Sequence, residues 1–197
     1  MGRLDDLDHV HCDDRTAWRA WLEANHATSP GIWLVRWKPS SGRPALTFDE
    51  LVEEALCFGW IDSRAGTVDA DRNRIVVTPR RPGSGWSKVN KERIARLEAA
   101  GRLAPAGRAA IEAARRDGSW TKLDEAHSLV VPDDIAAAFA AHPDSREQFD
   151  AFPPSARRAI LEWVTTARRP ETRARRVERV AAAAAVGERA NQPRRRS

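Results

Sequence analysis

The sequence has no long apolar run. Its longest uninterrupted stretch, Val180 to Val186, is mostly alanine and falls far short of the roughly 20 residues that cross a bilayer, so no membrane span is expected. The opening residues, Met1-Gly2-Arg3-Leu4-Asp5-Asp6, lack the apolar core of a secretory signal and the Ser or Thr of a myristoylation signal, which makes the cytoplasm the expected address. Cysteine is scarce. Cys12 and Cys57 allow one disulfide at most, a chain of this size does not need it, and both read as free thiols. Lysine is scarce too: of 33 basic residues only Lys38, Lys88, Lys91 and Lys122 are lysine, a bias that reads as genome base composition rather than selection for phosphate-gripping forks.

What remains is an ordinary globular composition. The 197 residues, 42% hydrophobic and 31% charged, suffice for one compact domain or two small ones. The formal charge of +5 is unevenly placed: residues 168 to 197 carry ten arginines against Glu171, Glu178 and Glu188, which leaves the rest of the chain slightly acidic.

An acidic leader precedes a helix expected over Asp14 to Asn25, with Trp18, Trp21 and Leu22 on one face. Ile32 to Trp37 is aromatic, β-branched and bounded by turn residues, hence a buried strand. Thr47-Phe48-Asp49-Glu50 is a capping box, with Leu46 and Leu51 as its staple, opening a helix that lasts to Gly59. A hairpin is expected around Thr67 to Val77, turning within Asp69 to Arg74. Beyond Pro79, prolines fall in first-turn positions and glycines where helices stop, which predicts helices over 87–100, 105–117, 132–141, 143–151, 154–168 and 170–186. The expected architecture is α+β: a small, mostly antiparallel sheet packed by helices over 1–125, an all-helical part over 126–190, and a disordered basic tail over 191–197, the boundary lying near Leu123 to Pro132.

Two segments concentrate polar and aromatic chemistry. One is Leu56 to Arg64. The other runs from Pro79 through a Pro/Gly loop into the helix near Ser87. Free N–H groups at that helix start, with Arg80 and Arg81 alongside, would cradle a carboxylate or phosphate, while Trp60 and Trp86 would supply flat walls for a ring. The candidate ligand site is therefore Trp60, Asp62, Arg80, Arg81, Trp86, Ser87 and Asn90. The competing reading makes Ser87 a plain cap, pairs Asp62 with an arginine and puts both tryptophans in the core.

These segments carry a resemblance. Glu54-Ala55-Leu56-Cys57-Phe58-Gly59-Trp60-Ile61-Asp62-Ser63, then Pro79-Arg80 with Trp86-Ser87-Lys88-Val89-Asn90-Lys91, and Thr172-Arg173-Ala174-Arg175-Arg176 together resemble the YdeI/OmdA family over about residues 15 to 187. That family is also described as bacteriocin-protection or OmpD-associated. The resemblance implies a bacterial stress or antimicrobial-peptide-resistance protein, and it supplies no catalytic residues to carry over.

Other motifs reduce to structure. Cys57 reads as a small buried hydrophobe. His9, His11 and Cys12 are metal-ligand types without a fourth ligand. Asp69 to Asn73 begins like a calcium loop, but Arg74 stands where its turn glycine belongs, and no nucleophile triad or cofactor motif is evident. In the last helix Arg173, Arg175, Arg176 and Arg179 would lie on phosphates, or Arg173 or Arg176 would fold back as a clamp on the acidic first half. The expected partners are a small anionic or aromatic ligand and, as the alternative, weak nonspecific nucleic acid.

Overall fold

In the computed structural model, residues 4–191 are described. They fall into two units, one made of the residues up to 84 together with 89–119, the other of 85–88 and the residues from 120 onward.

After a 3₁₀ turn (Leu4–Asp6), the first unit has a strand that the sequence does not announce, β1 (His9–His11), followed by α1 (Arg15–Asn25), β2 (Ile32–Trp37), α2 (Phe48–Cys57), β3 (Trp60–Thr67), β4 (Arg72–Pro79), α3 (Lys88–Ala99) and α4 (Pro105–Arg116). The sheet order is β1-β2-β4-β3. β1 runs parallel to β2, with Val10 opposite Leu34; the other two pairings are antiparallel. The hairpin is where the pattern puts it, but its turn is confined to residues 68–71, and β3 begins directly after α2. Gly59 makes that abrupt junction: its φ of +73° is left-handed, and a Cβ there would stand 2.9 Å from Ala110 Cβ.

Local chemistry explains the helix starts. Asp14 caps α1 by accepting from Ala17 N at 2.8 Å. Thr47 and Glu50 close the capping box of α2 in both directions. The core of this unit takes Trp18 and Leu22 from α1, Leu51, Val52 and Leu56 from α2, and Leu34, Val76 and Val77 from the sheet. Trp18 Nε1 donates to Leu51 O at 3.1 Å, so its one polar atom is satisfied inside that core.

The second unit holds α5 (Asp124–His127), α6 (Asp133–Ala141), α7 (Ser145–Ala151), α8 (Pro154–Thr165) and α9 (Pro170–Ala185). Ile135, Phe139, Phe149, Ile160, Leu161, Val164, Val177, Val180 and Ala184 pack into one apolar cluster, each from the inward stripe of its helix. Ala190 is part of that cluster, and Asn191 Nδ2 donates to Ala159 O at 2.7 Å. The expected tail is thus docked at its first residue, and the remainder, 192–197, lies outside the described residues.

Candidate functional site

Trp60 is 1% exposed, donates from Nε1 to His26 O at 3.3 Å and meets Trp21 edge-on; it is a core side chain. Trp86 is 2% exposed and belongs, with Ser87, to the second unit, where its ring lies 5.2 Å from that of Trp120. Arg81 is exposed, and its carbonyl accepts from the Ser84 amide and hydroxyl. Asp62 and Arg80 are both half-buried. Burial holds the Asp62 carboxyl above its usual range, against the pull of its own backbone N–H and of Arg93 and Arg80. Burial likewise pushes Arg80 down to about 10, with Asp62 opposing. Asn90 accepts from Arg93 Nη1 at 3.1 Å, and Arg93 also pairs with Asp49. In the first unit Arg93, which sequence reasoning did not single out, thus joins Asn90 and Asp49 and acts on Asp62, while Arg80 acts on Asp62 as well.

A different cluster has the form of a ligand site. Glu54, on the inward face of α2, is 0% exposed, a position that demands charge compensation. Three guanidiniums provide it. Arg15 Nε lies 2.6 Å from Oε1, Arg19 Nη1 lies 3.0 Å from Oε2, and Arg102 Nη2 also pairs with Oε1. Burial works against the charges of Arg15 and Arg19, but Glu54, with Glu53 and Glu23 behind it, holds both above the ordinary arginine value. The same burial, helped by Glu54, pushes the Cys57 thiol up to about 11, so Cys57 stays protonated at neutral pH as well as fully buried.

Two of these arginines emerge into a cavity of about 460 Å³ lined by Arg19, Glu23 and His26 from α1, Phe58 at the end of α2, and residues 101–106. Arg19, Glu23 and His26 recur at i, i+4 and i+7, so α1 presents them on one face. Arg19 Nη2 and Arg102 Nε and Nη1 carry no hydrogen bond among the described residues. His26 has its Nδ1 fixed 2.8 Å from Leu22 O; that nitrogen donates, which leaves Nε2 as an acceptor. The opposite wall is the start of α4, where Ala104 holds the cap position with no side-chain cap and Pro105 follows. That wall is held close: Ala104 N donates to Cys57 O at 3.0 Å, and a Cβ on Gly107 would stand 2.2 Å from Cys57 O, a contact only glycine permits.

Comparison with known families divides the chain. Residues 10–110, just over half of it, match a domain of unknown function, DUF8412, and residues 128–187 match the family described as Bacteriocin-protection, YdeI or OmpD-Associated. The chain belongs to the DUF8412 family and carries an OmdA domain. No curated protein and no solved structure matches it. Of the three motifs that carry the resemblance, only Thr172 to Arg176 falls in the OmdA domain; the first two lie in the DUF8412 region, as does every residue of the cavity.

Within the OmdA domain the arginines of α9 are largely engaged by their own unit. Arg173 forks onto Asp134 at 2.7 and 3.0 Å. Arg176 donates to Trp163 O and lies over the Trp163 ring at 4.9 Å, with Arg179 at 5.9 Å from the same ring; Arg175 is exposed. The clamp onto the acidic first half is thus corrected: Arg173 closes onto the first turn of α6, because α9 packs on α6 through its apolar stripe and brings that carboxylate alongside.

The residues that sequence reasoning missed are Arg19, Glu23, His26, Glu54 and Arg102. The spacing of the first three on α1 was available as a signal. Glu54 opens the first of the three quoted motifs, but nothing local marks its charge as buried, nothing marks Arg102, and their roles arise only when α1, α2 and the segment before α4 meet.

Proposed function

We propose that this is a cytoplasmic YdeI/OmdA-like stress or antimicrobial-peptide-resistance protein whose DUF8412 unit binds a small organic anion. The observation that carries the reading is a cavity lined by Arg19 and Arg102, both held by Glu54, and by the uncapped start of α4. Guanidiniums held by a buried carboxylate need little ordering when a ligand arrives, and such preorganisation favours affinity. The volume lies in the range of small-molecule sites. A nucleic-acid role is the weaker reading, since Arg173 and Arg176 are engaged within their own unit and Arg175, Arg179 and the arginines at 194–196 remain to carry it.

The test is a titration of the full chain with benzoate and with inorganic phosphate, followed by amide chemical shifts. Binding should perturb His26, Phe58 and Arg102. Arg102→Gln removes a charge-assisted contact and should weaken binding about tenfold to hundredfold. Ala104→Asp places a carboxylate where α4 lacks a cap, so it should hold or raise the melting temperature while repelling the anion. Unchanged affinity in both variants, or no perturbation at millimolar anion, refutes the reading.

A further inference from the structure

The cavity holds more than cations, and its other groups restrict what fits. His26 offers Nε2 as an acceptor, because its Nδ1–H is committed to Leu22 O. Phe58, 5% exposed, shows one aromatic edge to the cavity, its ring 5.1 Å from that of His26 and with Arg19 over it at 5.4 Å, and Leu103, Ala104, Pro105 and Ala106 supply further apolar lining. Glu23 brings a carboxylate to the same lining, bonded to Arg19 Nε at 3.0 Å. A ligand that satisfies all of these has one negative head for Arg19 and Arg102, a flat apolar body beside Phe58, and a hydrogen-bond donor for His26. A second negative charge would meet Glu23.

We propose that the site takes a ring-bearing monocarboxylate with a hydroxyl or amino substituent, the hydroxybenzoate class of compound, with His26 reading the substituent. This rests on the anion-site reading above and adds to it the identity of the ligand and the role of His26. Inorganic phosphate, which offers the head alone, and a benzenedicarboxylate, which adds a second charge, should both bind less tightly than benzoate.

The experiment compares benzoate with the hydroxybenzoates substituted at each ring position, binding to the full chain by calorimetry. At least one hydroxybenzoate should bind roughly threefold to tenfold tighter than benzoate, the gain expected from one added neutral hydrogen bond. That gain should vanish in His26→Phe, which keeps a ring beside Phe58 and removes the acceptor. Should that variant not fold, the ¹⁵N resonance of His26 Nε2 in the unaltered protein replaces it, and must move with the hydroxybenzoate and not with benzoate. Equal affinities for all the monocarboxylates, or a hydroxyl advantage that survives in His26→Phe, overturns the ligand assignment while leaving the anion site standing. Silence from benzoate, hydroxybenzoates and phosphate alike overturns both.

Discussion

Glu54 shows how much one side chain organises. A carboxylate at 0% exposure is tolerable only because three guanidiniums, each between 26% and 35% exposed, share it from the solvent side. Removing any one leaves two, so Arg15→Ala or Arg19→Ala alone should cost only about 1 kcal/mol. Removing both leaves Arg102 to hold a buried charge, and the loss should exceed the sum of the singles and approach about 3 kcal/mol. Urea denaturation of the two singles and the double variant measures this. Strict additivity would mean that the arginines act independently and that Glu54 is not their common anchor. Its burial was not legible in sequence, where Glu54 stands at the head of a quoted motif yet, beside Glu53, looks like one more charge on an amphipathic helix. Trp60 and Trp86 are the converse, since their company of Asp62, Arg80 and Ser87 suggested ring walls and burial places them in the core, as the competing reading had it.

At the scale of elements, legibility follows local chemistry. α2 could be read because Thr47 and Glu50 write its start within four residues, and the helices after Pro79 because proline and glycine mark their ends. β1 could not: three residues alternating exposed and half-buried carry no periodic signal, and their conformation is imposed by pairing with β2. The α2 cap makes a prediction of its own. Hydrogen bonds from the Thr47 backbone and side chain hold the Glu50 carboxyl below its usual value. A depressed carboxyl contributes stability that is complete above the unfolded-state value and is lost as pH falls through the folded one. The stability gap between the unaltered protein and Glu50→Gln should therefore be widest near neutrality and shrink on acidification, as thermal melts from pH 7 to pH 3 would show. Thr47→Ala should cost about 1 kcal/mol at neutral pH. A gap that stays constant with pH would remove the charge from the explanation.

For the whole molecule, the net charge of +5 is a poor guide to partners, because the C-terminal excess is partly consumed inside its own unit. The nucleic-acid alternative can be tested on that basis. Truncation after Asn191 removes three arginines and should lower the slope of log affinity against log salt by at most about 3. Substituting Arg173 should leave the slope unchanged and modestly destabilise the helical unit, since its partner is Asp134. Filter retention of duplex DNA over a salt series reads the slope. A drop caused by Arg173→Ala at constant stability would return that residue to the phosphate-binding set.

The contact of Gly107 with Cys57 O also bears on speed. With the Ala104 amide tied to the same carbonyl, the start of α4 is anchored to the end of α2 backbone to backbone. For the anion proposed above, a wall anchored in this way predicts association rates that differ little from one small acid to another, with the differences in affinity falling on dissociation, as stopped-flow binding would show. A side chain at 107 would force α4 to lift from α2, since its Cβ would stand 2.2 Å from Cys57 O.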